Sequence, residues 1–135
     1  MLNAMFFGND GDFPLGVASD KEVLAALRAR DARGEEAEEW VRVEQQRDEI
    51  KELNVSRNLT EGMWEAVGDL PALEKLDARG CGLTALPASV FRLQALKYLD
   101  VGNNKLTALP EAIGDLRALE TLDARSNAPQ RRNGF

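Results

Sequence analysis

Cys81 is the chain's one thiol, and there is no histidine to take its proton. A cysteine becomes a nucleophile when a base or a nearby positive charge favours its thiolate, and no imidazole is present to do so. The same absence removes triad-type serine nucleophiles and every metal site built on imidazole. Cys81 therefore reads as a packing residue. The carboxylates are the other candidates. Asp77, Asp100 and Asp123 recur at a step of 23 residues, and Arg79 and Arg125 each follow one of them by two. Asp77 and Asp100 could work as an acid and base pair only inside a site that excludes water. The stretch GNDGD at 8–12 lacks the spaced Glu that would complete a calcium loop, so a plain turn is the simpler reading. Glu35, Glu36, Glu38 and Glu39 form an acidic run of the kind that covers a solvated face. No metal or cofactor ligand set emerges.

Charged residues that recur at a fixed step need elements that recur with them. Leu73, Leu76, Leu83, Leu86, Val90 and Leu93 return as Leu96, Leu99, Leu106, Leu109, Ile113 and Leu116, each moved by 23 positions. Ile50 and Leu53 stand one step earlier, and Leu119 and Leu122 open a further copy. The array divides into 50–72, 73–95, 96–118 and a partial 119–127, between an N-terminal segment 1–49 and a tail 128–135. Within each copy Leu76 and Ala78, or Leu99 and Val101, alternate with an aspartate. That period of two buries one face of a short strand and exposes the other. One copy has too little apolar surface to offset the entropy of ordering it, so the copies must stack.

The copies LPALEKLDARGCGLTALP and LQALKYLDVGNNKLTALP, with their LPxx(V/I)xxL continuation, resemble the leucine-rich repeat family in its 23-residue class. The resemblance implies an α/β fold. The expectation is a right-handed solenoid with about four short parallel strands on its concave face and irregular or short helical returns on its convex side. It also implies an internal ladder at Asn58, Cys81, Asn104 and Asn127, in which a buried amide satisfies backbone groups left open where each strand turns. Cysteine is the usual stand-in there. Pro87 and Pro110 sit where short helical returns could begin, since a missing N–H costs nothing at such a start. Trp64 and Gly68 depart from the repeat at the matching positions.

Ahead of the array, Ser19 and Glu22 have the spacing of a capping box, followed by Val23, Leu24 and Leu27 on one face of a helix to about Arg33. Gly34 ends it, and EEAEEW could resume it briefly. Trp40, Val41 and Val43 then suggest a strand that turns through QQRDE and pairs with 50–55. Helix, Trp and hairpin together resemble the N-terminal cap of plant-type leucine-rich repeat domains, without the cysteine pair of secreted versions. The tail APQRRNGF abandons the repeat. The last turn, with Leu119, Leu122 and Ala124, is therefore expected to associate with another copy unless the tail folds over it.

On the concave face the step creates three rows. Glu52, Lys75, Tyr98 and Thr121 form the first; Asn54, Asp77, Asp100 and Asp123 the second; Ser56, Arg79, Gly102 and Arg125 the third. Gly102 removes a side chain between Arg79 and Arg125, beside Tyr98 and Asp100, and leaves a notch. Tyrosine and arginine are enriched among residues that carry binding energy. The same rows also read as a solvated sheet whose charge pairs contribute little.

The 135 residues suffice for one domain, and 44% apolar with 30% charged residues describes a folding, soluble chain. A net charge of -6 argues against nucleic acid and anionic membranes as partners. A single cysteine fits a reducing, cytoplasmic setting. The opening MLNAMFFG lacks the basic start of a secretory signal, and no run is long enough to span a membrane. The Ala-, Arg-, Asp- and Gly-rich repeats suggest a bacterial source. The expected function is binding of a protein or peptide on the concave face, without an enzymatic step, as an adaptor or as a secreted effector inside a host cell. The alternative is a structural solenoid that self-assembles through its open C-terminal turn.

Overall fold

The computed structural model describes residues 16–128. The GNDGD turn expected at 8–12 and the tail at 129–135 lie outside the described residues. Two helices lead into the repeats: α1 over Asp20–Arg33 and α2 over Glu38–Glu44. Four three-residue strands follow, β1 Glu52–Asn54, β2 Lys75–Asp77, β3 Tyr98–Asp100 and β4 Thr121–Asp123. They form one parallel sheet in sequential order, with Glu52, Lys75, Tyr98 and Thr121 side by side, and likewise Leu53, Leu76, Leu99 and Leu122. A register that advances by the repeat length at every strand is what a solenoid requires, since each turn then presents the same residue to the same neighbour.

Leu53, Val55, Leu76, Ala78, Leu99 and Val101 point inward and are buried. Opposite them the chain returns through 3₁₀ turns at Ala88–Arg92 and Glu111–Asp115, each immediately preceded by its proline, Pro87 or Pro110. The first return differs: a 3₁₀ turn at Glu61–Met63 runs into a short helix, α3, at Trp64–Val67. Gly68 closes that helix where the next turn comes near. A Cβ there would lie 2.7 Å from the Ser89 carbonyl oxygen and 2.6 Å from Arg92 Nη2.

The capping box on α1 forms as its spacing predicts: the Ser19 hydroxyl accepts from the Glu22 amide, and Glu22 accepts from the Ser19 amide. The helix buries Val23, Leu24, Ala26, Leu27 and Ala29 and packs on α2, β1 and α3. The hairpin expected from Trp40, Val41 and Val43 does not form. These residues lie in α2, with Trp40 and Val43 buried and Val41 exposed, and β1 has no antiparallel neighbour. Trp40 and Val43 are three apart, a helical spacing that places both on one face. Glu38 and Glu39 in the first turn favour a helix N-terminus.

Arg30 joins this N-terminal unit to the array. Its guanidinium lies 4.8 Å from the centroid of the Trp40 ring, and Nη1 donates to Asp69 Oδ2 at 2.7 Å. Arg92, one repeat later, donates to Asp69 Oδ1 at 3.2 Å and to the Glu65 carbonyl oxygen at 2.9 Å. Asp69 thus bridges α1 to two successive turns.

At the other end, Leu119 and Leu122 are half-buried and Ala124 is buried. The segment expected either to cover them or to leave them for another copy lies outside the described residues, apart from Ala128.

Candidate functional site

Each strand leaves the sheet through a turn that holds one residue in the left-handed region: Arg57 at φ 65°, Gly80 at 64°, Asn103 at 55° and Ser126 at 62°. These positions are one repeat apart. The next residue in each turn is the ladder position. Asn104, buried, accepts from the amides of Cys81 at 2.8 Å and Leu83 at 3.1 Å, and donates to the carbonyls of Ala78, Val101 and Gly102. Asn127 accepts from the Leu106 amide at 2.9 Å and donates to Val101 and Ala124. Cys81 reproduces the donor half, its thiol 3.5 Å from the carbonyl oxygens of Val55 and Arg79. Those positions correspond to Ala78 and Gly102 for Asn104. Asn58 departs from the expected ladder: it is exposed, and its side chain donates to the Ser56 carbonyl alone among its hydrogen bonds. Asn104 and Asn127 reach back to the turn before their own, whereas Asn58 stands in the first turn and has no repeat before it to reach.

The three predicted rows stand side by side on the outward face of the sheet, the face expected to be concave. In the second row, one oxygen of every member is already used. Asn54, Asp77, Asp100 and Asp123 each accept through Oδ1 from the amide two residues on, at 2.9, 3.2, 2.9 and 3.2 Å. The column thus fixes the strand exits, as Asx turns do, before it can bind anything.

The remaining oxygens divide the column. Arg79 folds back on Asp77, with Nε 3.0 Å from Oδ1 and Nη2 2.9 Å from Oδ2. Arg125 does the same to Asp123, at 3.0 and 2.8 Å. The hydrogen bond to Arg125 is the main reason the Asp123 carboxyl is lowered to about 2, with the Arg125 amide next. Arg79 and Arg125 are raised in turn, each chiefly by the hydrogen bond to its aspartate. Asp100 is the exception, because Gly102 supplies no side chain. Its Oδ2 is 3.5 Å from Tyr98 Oη and 3.6 Å from Arg79 Nε, while its side chain is only 9% exposed. Partial burial is the leading reason the Tyr98 phenol is raised, followed by the charge of Asp100. Lys75 sits on the Tyr98 ring, 5.3 Å from its centroid.

Gly102 does open a notch, with a volume of about 270 Å³, lined by Arg79, Asp100, Gly102, Asp123 and Arg125. Asn103 and Ser126 also line it. They are absent from the three rows because alternation ends with the strand. The signal that finds them is the residue preceding each ladder position. Glu52, Lys75 and Thr121 lie exposed along the first row, outside the notch. The acidic run lies away on the N-terminal unit, where Glu35 and Glu39 pair with Arg30 and Arg33. Among the described residues no group of three or more acidic or cysteine side chains could hold a metal ion, and no helix is long and apolar enough to cross a membrane.

A family model described as leucine rich repeat matches residues 79–128. Among solved structures, a leucine-rich repeat protein of Leptospira interrogans is similar at 23% identity and a TM-score of 0.52, over 67% of this chain. The chain spans 28% of that protein's length, and the likeness is one of fold. No curated protein matches the sequence. Leucine-rich repeat domains are in general protein-interaction modules. Residues 79–128 thus match the leucine rich repeat family model, and the strand register and the ladder are those of a leucine-rich repeat solenoid.

Proposed function

We propose that this chain binds a protein or peptide on its concave face, centred on the middle turn, as an adaptor or effector module. The observation that carries this reading is the notch at Gly102: a mostly buried carboxylate, a half-buried tyrosine beside it and two arginines converge where the sheet lacks one side chain. A recess of this kind lets a partner side chain be desolvated against fixed polar groups, which is how a few residues come to dominate an interface. Each flanking arginine is already paired with an aspartate of its own turn, so the groups that line the recess are in position to receive a partner.

A photocrosslinking residue placed at Thr121 on the concave row should capture a partner that the same residue at Glu111, on the convex return, does not. Tyr98→Ala should weaken that capture by about 1 kcal/mol or more of binding energy. Capture from Glu111 with none from Thr121 would move the functional surface to the convex side.

A further inference from the structure

The middle turn lacks one part that its two neighbours share. Turns 77–79 and 123–125 each consist of an aspartate that accepts the amide two residues on, and an arginine at that residue which returns its guanidinium to both carboxylate oxygens. Turn 100–102 retains the backbone half, with the Gly102 amide 2.9 Å from Asp100 Oδ1, and has lost the guanidinium half. The first turn has the backbone half as well, but there Asn54 is neutral and needs no countercharge. Asp100 is thus the column's one charged member without an arginine of its own. It is also the most buried: its side chain is 9% exposed, against 15% for Asp77 and 19% for Asp123. The hollow beside it lies where the missing side chain would run.

We propose that the notch is an arginine-binding site, in which a partner's guanidinium docks on Asp100 in the manner of Arg79 on Asp77 and Arg125 on Asp123. This names the chemistry of the partner proposed above and rests on that concave-face reading. Three features favour a guanidinium. The neighbouring turns show that a carboxylate held in this orientation accepts two nearly parallel N–H bonds, a planar fork that arginine provides and an ammonium does not. The notch's own charges are Asp100 and Asp123 against Arg79 and Arg125, but Arg79 is committed to Asp77 and Arg125 to Asp123, so Asp100 is the lining carboxylate left for an entering cation to pair. Oδ2 of Asp100 has only long contacts, to Tyr98 Oη at 3.5 Å and Arg79 Nε at 3.6 Å, and a charge so buried is stabilised by a closer partner. The Tyr98 ring, already beneath Lys75, borders the same carboxylate and offers a surface along which an arginine stem can lie.

The test uses the folded chain and a minimal probe, Nα-acetyl-arginine N-methylamide, with the isosteric but neutral citrulline analogue as control. Amide resonances of the protein report where each binds. The arginine probe should give saturable shifts centred on Gly102, Asn103 and Ser126, and the citrulline analogue should bind at least tenfold more weakly. Asp100→Asn should reduce arginine binding at least tenfold without unfolding the turn, since Asn54 shows that an amide caps the equivalent exit. Gly102→Arg should occupy the notch from within and also block the probe. It requires the Arg125 carbonyl oxygen and Asp100 Oδ1 to yield by a few tenths of an ångström, because a Cβ would meet them at 3.1 and 3.2 Å. Equal binding of the two probes, full binding to Asp100→Asn, or no saturable shift at Gly102 up to millimolar probe would overturn the assignment. Shifts confined to Lys75 or Thr121 would overturn it too, while leaving the concave-face reading in place. The concave-face reading fails separately, by convex capture in the crosslinking experiment.

Discussion

Asn104 Oδ1 accepts the amide of Cys81 at 2.8 Å, so a side chain of one turn closes the strand exit of the turn before it. The pair stands one repeat apart. The same amide group also bonds to Leu83 and to three carbonyl oxygens, so the link between the second and third turns is concentrated in one residue.

Asn104→Ala should therefore be among the most damaging single changes in the array. It leaves buried N–H and C=O groups unpaired, at about 1 to 3 kcal/mol for each group that water cannot reach. A loss of about 2 to 5 kcal/mol in urea denaturation is expected. Asn58→Ala, in the same column, should change stability by less than about 0.5 kcal/mol, because Asn58 is exposed. Equal losses at the two sites would contradict the ladder as described. Cys81→Ser retains a donor toward Val55 and Arg79 and should leave partner binding intact.

Arg30→Ala should loosen the N-terminal helices on the repeats without releasing them, since α1 also buries Val23, Leu24 and Leu27. The variant leaves Trp40 without its stacking partner and removes one of two cations from Asp69. A cost of about 1 to 3 kcal/mol is expected, measured by the same denaturation. Arg30→Lys should recover only part of it, since an ammonium cannot both lie flat on the indole and reach the carboxylate in this geometry. Full recovery by lysine would show that charge alone matters there.

The Asp123 carboxyl, titrated by its side-chain carbon resonance, should show a midpoint of about 2. A carboxyl lowered on folding stabilises the folded chain above the usual carboxylate range, and its contribution is lost as the pH falls through the folded midpoint. The Asp123 contribution should thus persist through mildly acidic pH and fade toward pH 2. Arg125→Ala should move the midpoint up toward the usual value. An unmoved midpoint would mean that the turn amide, rather than the guanidinium, lowers it.

Gly68→Ala should destabilise by about 1 to 3 kcal/mol, although φ at this position suits any residue. The added methyl meets the Ser89 carbonyl oxygen, which is backbone and cannot rotate away. A variant as stable as the parent would show that the two returns can separate without cost.

The repeat step made the sheet legible residue by residue, because a fixed period leaves one parallel register available. It also located the notch, since a glycine in a row of arginines is visible as a gap. The expected N-terminal hairpin is a helix for a physical reason: Trp40, Val41 and Val43 satisfy both an alternating and a three-apart pattern, and tertiary packing decides between them. The inward role of the aspartate column was hidden as well. Alternation assigns a side chain to a face, and it is silent on whether one oxygen turns back to the backbone. Asn58 shows the converse, a ladder residue by spacing that stands in the first turn with no preceding repeat to bond.

The left-handed column carries a consequence for sequence drift. Gly80 and Asn103 suit that conformation by their own chemistry, whereas Arg57 and Ser126 adopt it against intrinsic preference. The bend is thus specified by the stack and inherited by whatever residue occupies the corner. Such a position can wander through many residue types at a modest energetic toll while the rise from turn to turn stays constant, and new surface chemistry can be tried at the rim of the notch without redesigning the scaffold beneath it.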